Sequence, residues 1–438
     1  MKAYSNTRIQ LECSPLYQAG EYNLFALGDA VQRQSSVEGR VAVAGNAVFE
    51  SFKIGIALSN PSQISSPVYG TDPTLVVGGN LTWNGGVNFG GNTVMTPEND
   101  YDVTDVACRN ADESLQPVCT GNLPVNFMEA SHYLECASNE WGSLISPSNT
   151  AIILNCYGNV FLIGLNNSLN IFHISASQIA PSANVIGSGG NTLSNIYSIT
   201  IMTPSGSTDL INVSGAVIEL GNYSVYRSTN VPDTMPSPTT FTCNQMEQGI
   251  LPTAEEKRRI LWNFYNAKNI TTSSSSFQGT LLAPYAAVYT TGGNIEGNVI
   301  VHNYLPNGSE TNHTEVHNYP FNGCLPSVSC STTTGTSTCT GTSTGTNTST
   351  CTNTSTCTNT STCTNTSTCT NTSTTTMTTS TVTASTATST ATYPYGCCLH
   401  CKDSCCPYLN CVKPENCYHV FIHDCTPKRR FFRKKPRC

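Results

Sequence analysis

A stacked β-solenoid is the fold that this sequence predicts, and two matching stretches and the composition predict it. Residues 277–301 alternate short runs of β-forming residues with corners at glycine or proline. The last seven residues of that stretch, 295–301, repeat the pattern of residues 37–43: a β-branched residue, Glu, Gly, a polar residue and Val-x-Val. Glycine allows the corner, and alternate strand residues then point into the coil. We therefore expect both ends of the body to belong to one mainly β, stacked architecture.

Composition and charge favour an extracellular all-β protein. Charged residues make up only 11% of the chain, whereas Thr, Ser, Asn and Gly are abundant. Residues 1–330 contain 11 Lys and Arg and 24 Asp and Glu, a net charge of −13. Residues 331–438 contain 9 and 3, a net charge of +6, and the two sum to the −7 of the whole chain. An acidic body with a basic tail indicates that the tail meets an anionic partner.

Most of the body reads as strands in chain order. After a lead-in over residues 1–20, residues 21–58 and 74–93 alternate short apolar runs with Gly and Asn. Residues 150–220 contain further runs rich in β-branched and aromatic side chains, broken by glycine and proline. This succession of short strands is what a solenoid body over residues 21–325 needs.

Two segments of the body carry helical patterns instead. In residues 126–144, Asn126 and Glu129 form a capping pattern, and one face carries Phe127, Ala130, Leu134, Ala137 and Trp141. In residues 252–269, Thr253 and Glu256 form a capping box, and the apolar stripe is Ile260, Phe264 and Ala267. We predict a helix over each segment, and we expect the second to bury its stripe against the flank of the solenoid.

The chain after the body divides into a stalk and a small module. Residues 326–392 are a Thr/Ser-rich low-complexity segment in which the unit Cys-Thr-Asn-Thr-Ser-Thr recurs, with its cysteines at Cys351, Cys357, Cys363 and Cys369. Such a composition buries too little apolar surface to fold alone, so we expect a disordered, O-glycosylated stalk. Residues 393–438 form a Cys-rich, basic module that must be held by cross-links.

Cysteine and asparagine patterns favour an oxidising, extracellular setting. The chain has 22 cysteines, a density typical of disulfide-bonded secreted proteins. The cysteines expected in disulfides are Cys108, Cys119, Cys136, Cys156, Cys397, Cys398, Cys401, Cys405, Cys406, Cys411, Cys417, Cys425 and Cys438. The N-glycosylation acceptors expected in the body are Asn80, Asn166, Asn212, Asn222, Asn269, Asn307 and Asn312. Regular spacing of the stalk cysteines predicts intermolecular disulfides.

Export signals and membrane anchors are not evident in the sequence. The first residues lack the apolar stretch of a secretory signal peptide, so we expect either a removed leader or another route of export. No apolar run is long enough for a membrane span, and no hydrophobic tail signals a lipid anchor.

Five ordered stretches of the body resemble the choice-of-anchor A domain family of ice-binding-protein-like adhesive β-solenoids. They are YNLFALGDA (22–30), VEGRVAVAGNA (37–47), INVSG (211–215), ILWNFYNAKNI with GTLLAPYAAV (260–288), and EVHNYPFNG (315–323). The resemblance implies a right-handed β-helix with a long helix packed alongside, and an adhesive or structural role at a cell surface. The Thr-rich stalk and basic Cys-rich end are similar to those of microsporidian spore wall proteins.

Three clusters of polar residues are candidates for metal binding. Asp100, Asp102 and Asp105 alternate in a predicted loop near Glu98 and can ligate calcium, although the spacing lacks the EF-hand pattern; a solvated acidic loop is the simpler interpretation. The histidine cluster can hold a metal or close the body structurally; its members are His302, His313, Glu315 and His317. The terminal module can pair its cysteines or bind zinc; the residues concerned are Cys398, Cys401, Cys405, His400, His419 and His423.

Seven cations crowd into the last eleven residues. They are Lys428, Arg429, Arg430, Arg433, Lys434, Lys435 and Arg437. In a secreted chain this run favours a sulfated or otherwise anionic glycan over nucleic acid, and a solvated or processed tail is the simpler interpretation.

These observations together predict a secreted, non-enzymatic surface or spore-wall protein. We expect no cofactor, no nucleic acid and no membrane span. The expected partners are wall or host glycans, other wall proteins, and further copies of the chain through disulfides. The alternative is a polysaccharide-active enzyme on the same scaffold, which would need two carboxylates across a cleft. Ice binding would need a regular Thr-x-Thr face, and residues 20–325 show none.

Overall fold

The structure is a computed structural model of the full chain. It describes residues 11–59, 73–89, 93–108, 118–145, 151–156, 158–181, 185–186, 192–193, 196–228, 230–236, 249–272, 276–307 and 314–330. The predicted stalk after residue 330, the Cys-rich module and the basic run lie outside the described residues.

Short strands dominate the described chain. The first eleven are β1 (Leu11–Glu12), β2 (Leu24–Ala26), β3 (Ala30–Arg33), β4 (Ser36–Val37), β5 (Val41–Val43), β6 (Ala47–Ile54), β7 (Leu75–Val77), β8 (Leu81–Asn88), β9 (Thr93–Met95), β10 (Tyr101–Cys108) and β11 (Val118–Thr120). The helices are α1 (Phe127–Gly142), α2 (Ala176–Ile179) and α3 (Ala254–Lys257), with 3-10 turns at Tyr17–Glu21 and Ile56–Ser59.

The remaining strands follow α1. They are β12 (Ala151–Cys156), β13 (Asn159–Gly164), β14 (Leu169–Ser175), β15 (Val185–Ile186), β16 (Thr192–Leu193), β17 (Ser198–Met202), β18 (Thr208–Ser214), β19 (Val217–Glu219), β20 (Ser224–Ser228), β21 (Ile260–Asn263), β22 (Asn269–Thr271), β23 (Ser276–Gln278), β24 (Thr280–Thr290), β25 (Gly293–Glu296), β26 (Val299–Pro306), β27 (Thr314–His317) and β28 (Leu325–Pro326).

Three parallel ladders form the sides of a solenoid. Face A runs β14, β18, β21, β24, β26, β2, β5, β7, β9, β11. Face B runs β19, β22, the second parts of β24 and β26, β3, and the first parts of β6, β8 and β10. Face C runs β23, β25, β27, β4 and the ends of β6, β8 and β10. Because one chain supplies a strand to each face in turn, the body is a mainly β solenoid.

The order of the coils in space differs from their order in the chain. The chain begins near the middle of the stack at β2 and adds coils outward to β11. After α1, further coils return from β14 to β26, whose Val299 pairs with Leu24 of β2. This order explains why residues 295–301 repeat the pattern of residues 37–43, because Val41–Val43 and the first three residues of β26 flank β2 on either side.

Two buried asparagines close the seam between these coils. The Asn23 amide donates to the Gly297 carbonyl at 2.8 Å, and the Asn298 amide donates to the Tyr22 carbonyl at 2.6 Å. Gly39 lies over Asn23, where an added Cβ would lie 2.7 Å from the Asn23 Cβ. The glycine of the repeated pattern is thus required by close stacking between coils.

Helix α1 lies within residues 126–144, where the sequence predicted a helix, and it covers the outer side of face A. Asn126 caps it by accepting the Glu129 N–H at 3.2 Å, and its buried face includes Ala130, Leu134, Ala137 and Trp141. This face packs on outward residues of face A, so both sides of those strands are buried. Three strand segments of face A, β5, β7 and the start of β26, are accordingly apolar at every position.

Residues 11–22 and 319–330 form a clasp over α1. Strand β1 pairs antiparallel with β28, and disulfides join Cys13 to Cys324 and Cys136 of α1 to Cys330. Trp141 Nε1 donates to the Pro326 carbonyl at 2.9 Å. The predicted lead-in is in part an ordered component of the body, because its residues 11–20 belong to this clasp.

The second predicted helix is wrong beyond its first turn. The capping box of Thr253 and Glu256 is present, but the helix ends at Lys257 and residues Ile260–Asn263 form strand β21 of face A. The spacing of Ile260, Phe264 and Ala267 fits a helical stripe only by coincidence. Their side chains are buried in the solenoid interior, since parallel pairing with β18 and β24 fixes this segment as a strand.

Candidate functional surface

Face B is an exposed side of the solenoid whose strands alternate. In β8, Trp83 points inward and is 1% exposed, whereas Thr82 and Asn84 on either side are exposed. In β6, Phe49 is buried between Val48 and Glu50, which are exposed. This alternation is what a sheet with one solvated side requires, so face B offers outward rows of side chains along the solenoid axis.

The first outward row of face B is a ladder of Asn and Asp side chains at the corner with face A. Each side-chain oxygen accepts the backbone N–H of the next residue in the row, at 2.7 Å, 2.7 Å, 3.0 Å and 3.0 Å. The row is Asn303, Asp29, Asn46, Asn80 and Asp100. These bonds satisfy backbone donors at the corner and fix the register of five successive coils.

The opposite corner of face B carries a column of left-handed residues. Gln34 (φ 48°), Ser51 (φ 50°), Gly85 (φ 72°) and Asp105 (φ 54°) occupy equivalent positions in four successive coils. Each turns the strand from face B to face C. The same left-handed backbone conformation therefore repeats along this edge of face B in four successive coils.

The middle outward row of face B is apolar at its centre. Parallel pairing aligns Tyr289 with Leu305 and Val31 with Val48. Tyr304 pairs with Ala30, so the residues that follow them, Leu305 and Val31, are also neighbours. Thr82 and Asp102 continue the row at one end. A stripe of apolar side chains therefore crosses four neighbouring coils on a side of the solenoid that carries polar groups elsewhere.

A charged cluster joins face C to the clasp. Glu296 of β25 accepts from Lys257 of α3 at 2.8 Å and lies 2.9 Å from His317 Nδ1 of β27. Burial disfavours the Glu296 carboxylate, but hydrogen bonds from His317 and Lys257 outweigh it and lower its pKa to about 2. The hydrogen bond to Glu296 raises the pKa of His317 to about 9, against burial and with help from Glu38 and Glu315. The cluster is thus charged at neutral pH and holds α3 on face C, and Lys257 Nζ lies 4.3 Å from the centroid of the Tyr319 ring at the start of the clasp.

Buried carboxylates are each held by cations. Asp209 is fully buried and receives hydrogen bonds from the guanidinium of Arg227, from Thr203 and from Asn170. Arg227 also donates to the Pro204 carbonyl. Among the residues that the structure describes, Asp209 and Glu296 are the buried acids. Both lie in ion pairs, which agrees with a structural use of these two acids.

Comparison with known proteins identifies the family. A family model described as "Putative Ice-binding-like adhesive domain" matches residues 15–313, more than half of the chain. The chain belongs to this ice-binding-like adhesive domain family. No curated protein matches the chain.

One solved structure is also similar to the adhesive domain. It is an ice binding protein from an Antarctic Biological Consortium, 13% identical, with 72% of this chain and 94% of that chain covered and a TM-score of 0.22. At that TM-score the likeness carries no argument, so the fold of the adhesive domain rests on its own strand register and on the family match.

The acidic segment predicted as a loop forms part of strand β10 of face B in the structure. Asp102 and Asp105 lie in β10, which pairs in parallel with β8, and Asp100 ends the Asn and Asp ladder. Alternation along a strand points Asp102 outward, and Asp105 has the left-handed corner conformation. The three acids therefore serve different positions of one coil. Within the described ranges, the group with metal-ligand spacing is Cys136, Glu140 and Cys330, whose cysteines form a disulfide.

The predicted histidine cluster is only partly brought together. Glu315 and His317 share β27, with His317 Nε2 3.5 Å from Glu315, while His302 lies exposed in β26. His313 lies outside the described residues. His317 is therefore engaged by carboxylates on both ring nitrogens, which agrees with a structural use of this segment.

Glycosylation acceptors divide into exposed sites and one buried residue. Five predicted acceptors are exposed on the adhesive domain: Asn80, Asn166, Asn222, Asn269 and Asn307. Asn212 is 1% exposed, donates to the Trp141 carbonyl at 2.9 Å and accepts from Asn263 at 2.8 Å. An oligosaccharide on its amide has no room beneath α1, so Asn212 is removed from the predicted acceptors. Asn312 lies outside the described residues.

The sequence predicts only part of the observed cysteine pairing. Cys136 was among the expected disulfide cysteines, but its partner Cys330, and the pair of Cys13 with Cys324, were not. Their separations of 194 and 311 residues leave no local pattern. Cys108, Cys119 and Cys156 lie in β10, β11 and β12. The other predicted disulfide cysteines lie outside the described residues.

Sequence reasoning missed the Asn and Asp ladder, although a signal for it exists. Gly-Asp-Ala at 28–30, Gly-Asn-Ala at 45–47 and Gly-Asn-Leu at 79–81 share one pattern at the start of a face B strand. Gly45 precedes Asn46 where an added Cβ would meet the backbone of Gly28 at 2.8 Å. A search for Gly-Asx before an inward apolar residue would therefore have found three of the five coils.

Proposed function

We propose that the chain is an extracellular adhesive and structural protein of a cell surface or spore wall. The observation that carries the proposal is the adhesive domain that spans residues 15–313, followed by a Thr/Ser-rich segment and a basic end. The two disulfides of the body suit an oxidising compartment outside the cell. None of the helices in the described part of the chain is long and apolar enough to cross a membrane. The proposal includes the narrower resemblances to choice-of-anchor A domains and to microsporidian spore wall proteins.

We further propose that the protein is joined into a layer by disulfides of the stalk and terminal module. Cys351, Cys357, Cys363 and Cys369 recur every six residues in a segment with no apolar residues to bury them. Exposed thiols in an oxidising space exchange with neighbouring disulfides. Native material on non-reducing gels should run as multimers that collapse to monomer on reduction, and monomer alone on such gels would contradict the cross-linking.

The basic run is the proposed docking element for an anionic glycan. Residues 428–437 carry seven positive charges, whereas residues 1–330 carry a net −13. A polyanion is therefore attracted to the tail and repelled by the body, which orients the adhesive domain away from the polymer. Ionic contacts of this kind weaken as the Debye length falls from about 10 Å at 0.1 M salt to about 3 Å at 1 M.

Heparin chromatography of the full chain tests this docking. The wild type should be retained at 0.1 M salt and released before 1 M, and a variant with Arg429, Arg430, Lys434 and Lys435 changed to Ser should elute early. A matched variant with Arg33, Lys53, Arg259 and Lys268 of the body changed to Ser loses the same charge and should be retained like the wild type. Equal retention of wild type and tail variant, or retention indifferent to salt, would exclude the docking.

The alternative of a polysaccharide-active enzyme finds no support in the site. The family description is adhesive, and the buried acids of the described residues are paired with cations. Hydrolysis of a wall polysaccharide, lost when a pair of carboxylates is changed to amides, would replace the adhesive proposal.

A further inference from the structure

The middle outward row of face B has the surface chemistry of a binding site. Its centre is Tyr289, Leu305, Val31 and Val48, which we call the apolar row. All four side chains are partly exposed, and Val48 is the most exposed of them at 39%. Neighbouring parallel strands lie about 4.8 Å apart, so the row extends for roughly 15 Å along the solenoid axis. Exposed apolar residues are unremarkable singly, but four aligned across consecutive coils form a continuous stripe.

Hydrogen-bonding groups border the apolar row on both sides. The Asn and Asp ladder, with Asn303, Asp29 and Asn46, lies along one edge. The other edge is formed by the next outward residues, two positions further along the chain, which are Asn307, Arg33 and Glu50. Arg33 and Glu50 are 3.6 Å apart. The surface therefore has an apolar centre about one residue wide between two lines of amides and charged groups.

Charges on face B are mostly negative. The charged outward residues of its described strands and ladder are Asp29, Arg33, Glu50, Asp100, Asp102 and Glu219, which is one base against five acids, or −4. A polyanion such as a sulfated glycan would be repelled here. An identical face from a second copy would also oppose acid to acid, and like charges facing each other disfavour such a contact.

We propose that the apolar row binds an uncharged, extended polysaccharide whose sugar rings stack their C–H faces on Tyr289, Leu305, Val31 and Val48. The flanking amide and carboxylate groups then bond to ring hydroxyls at the edges of the same chain. The inference rests on the proposed adhesive function and names the surface and the polymer class. It assigns to face B a ligand different from the anionic polymer assigned to the basic tail.

The size of the apolar row favours a polymer over a folded partner. One residue wide and four coils long, it covers roughly 100 Å². Each partner in a stable protein complex buries about 800 Å² around an apolar centre. A narrow apolar stripe with hydrogen-bonding borders instead matches the cross-section of a single sugar chain, whose binding strengthens as more rings lie along the axis.

Retention on insoluble polysaccharide at 1 M NaCl tests the inference with the full chain. High salt suppresses the ionic contacts of the basic tail, so the assay isolates face B. Cellulose, chitin and β-1,3-glucan serve as uncharged probes. The wild type should be retained on at least one, and Tyr289→Ser with Val48→Ser should weaken retention about tenfold, which corresponds to about 1.4 kcal/mol, because the variant loses the aromatic contact and one apolar contact of the row. Tyr289→Phe should retain binding.

Tyr197→Ser is the matched control, because Tyr197 is 59% exposed and lies outside face B. It should bind like the wild type, and the thermal unfolding midpoint should be unchanged in all variants. Retention on none of the three polymers, or equal retention of the Tyr289→Ser, Val48→Ser variant, would overturn the inference. Dimers of the wild type that are lost in the double variant would also overturn the inference. Thermal hysteresis of ice growth by the wild type that is lost in the double variant would overturn it as well. Heparin retention at low salt reports on the basic tail separately, so failure of one proposal leaves the other measurable.

Discussion

Face A and face B are built by the same coils, yet their outward side chains meet different surroundings. Outward residues of face A, such as Ala42, Val76 and Leu282, are fully buried in a core cluster that includes residues of α1 and the clasp. Outward residues at comparable positions of face B, such as Val48 and Thr82, are exposed. Parallel pairing alone therefore does not decide which side of the solenoid is stabilised, because that depends on which side is covered by other elements.

A buried polar network reinforces the covered face. Asn263 of β21 donates to the Ser138 carbonyl of α1 and to Asn212 of β18, both at 2.8 Å. Asn212 donates in turn to the Trp141 carbonyl. Because the side-chain amides of Asn263 and Asn212 both have hydrogen-bond partners, the network fixes the position of α1 along face A without leaving these buried amides unsatisfied. Face B carries no such cover in the described residues and is free for contact.

The largest expected effect is on the covered side. Trp141→Ala removes a ring that is 1% exposed and its hydrogen bond to Pro326, so we expect a loss of about 3–5 kcal/mol in the free energy of unfolding. Met128→Ala on the same helix is the control, because Met128 is 63% exposed. Urea unfolding followed by circular dichroism measures both, and equal midpoints would show that α1 does not hold face A.

The clasp should contribute nearly as much. Changing both Cys13 and Cys324 to Ser opens a link with a sequence separation of 311 residues, and we expect a loss of about 2–4 kcal/mol. The link restrains the unfolded chain, so the effect should appear in the unfolding midpoint more than in the native structure. Reduction of the wild type should lower its midpoint further than reduction of the variant. A variant as stable as the oxidised wild type would mean that β1 and β28 hold without it.

Face C should show a pH dependence that arises from the charged cluster of Glu296 and His317. The raised pKa of His317, about 9 against 6.5, stabilises the fold fully below pH 6.5 and ceases to do so as pH rises through 9. The lowered pKa of Glu296, about 2 against 4.5, stabilises above pH 4.5 and ceases as pH falls through 2. Stability from this cluster is therefore greatest between pH 4.5 and 6.5.

His317→Gln tests the cluster, in which Glu296, Glu315, Glu38 and Lys257 surround the ring. Hydrogen bonds to charged groups contribute about 1.5–3 kcal/mol, so the variant should lose that amount at pH 6. Its unfolding midpoint should change little between pH 7 and 10, where that of the wild type should fall. His302→Gln, at an exposed histidine of β26, should follow the wild type. Parallel pH profiles for His317→Gln and wild type would contradict the assignment.

Sequence reasoning succeeded where a signal is local. The cap of α1, its buried face and the Gly-x-Val-x-Val corners each depend on residues within one turn or one coil, and each was confirmed by the structure. The segment after Lys257 shows the limit. Its apolar spacing fits a helix and a strand equally, and only pairing with β18 and β24, whose positions in the stack the local pattern does not show, decides between them.

The candidate surface was harder to predict because its rows join distant residues. Asn303 and Asp29 are neighbours across 274 positions, and Leu305 and Val31 adjoin for the same reason. No periodicity connects them, since the coils differ in length and the chain leaves and re-enters the stack through α1. Strand alternation predicts which residues point outward, but the spatial order of the coils must be known before the rows exist.

The smallest effects should separate the border of face B from its centre. Asn46 and Val48 lie two residues apart at the start of β6 and are both exposed. Asn46→Ala removes the acceptor for the Asn80 N–H at 3.0 Å, which should cost about 0.5–1.5 kcal/mol and increase hydrogen exchange at Asn80. Asn46→Asp should preserve both, as Asp29 already does in the ladder. Val48→Ala should change the free energy of unfolding by less than about 0.5 kcal/mol, because its methyl groups face solvent. A cost at Val48 as large as that at Asn46 would mean that the apolar row is part of the stabilised fold, and the distinction between a covered face and a face kept free for binding would fail.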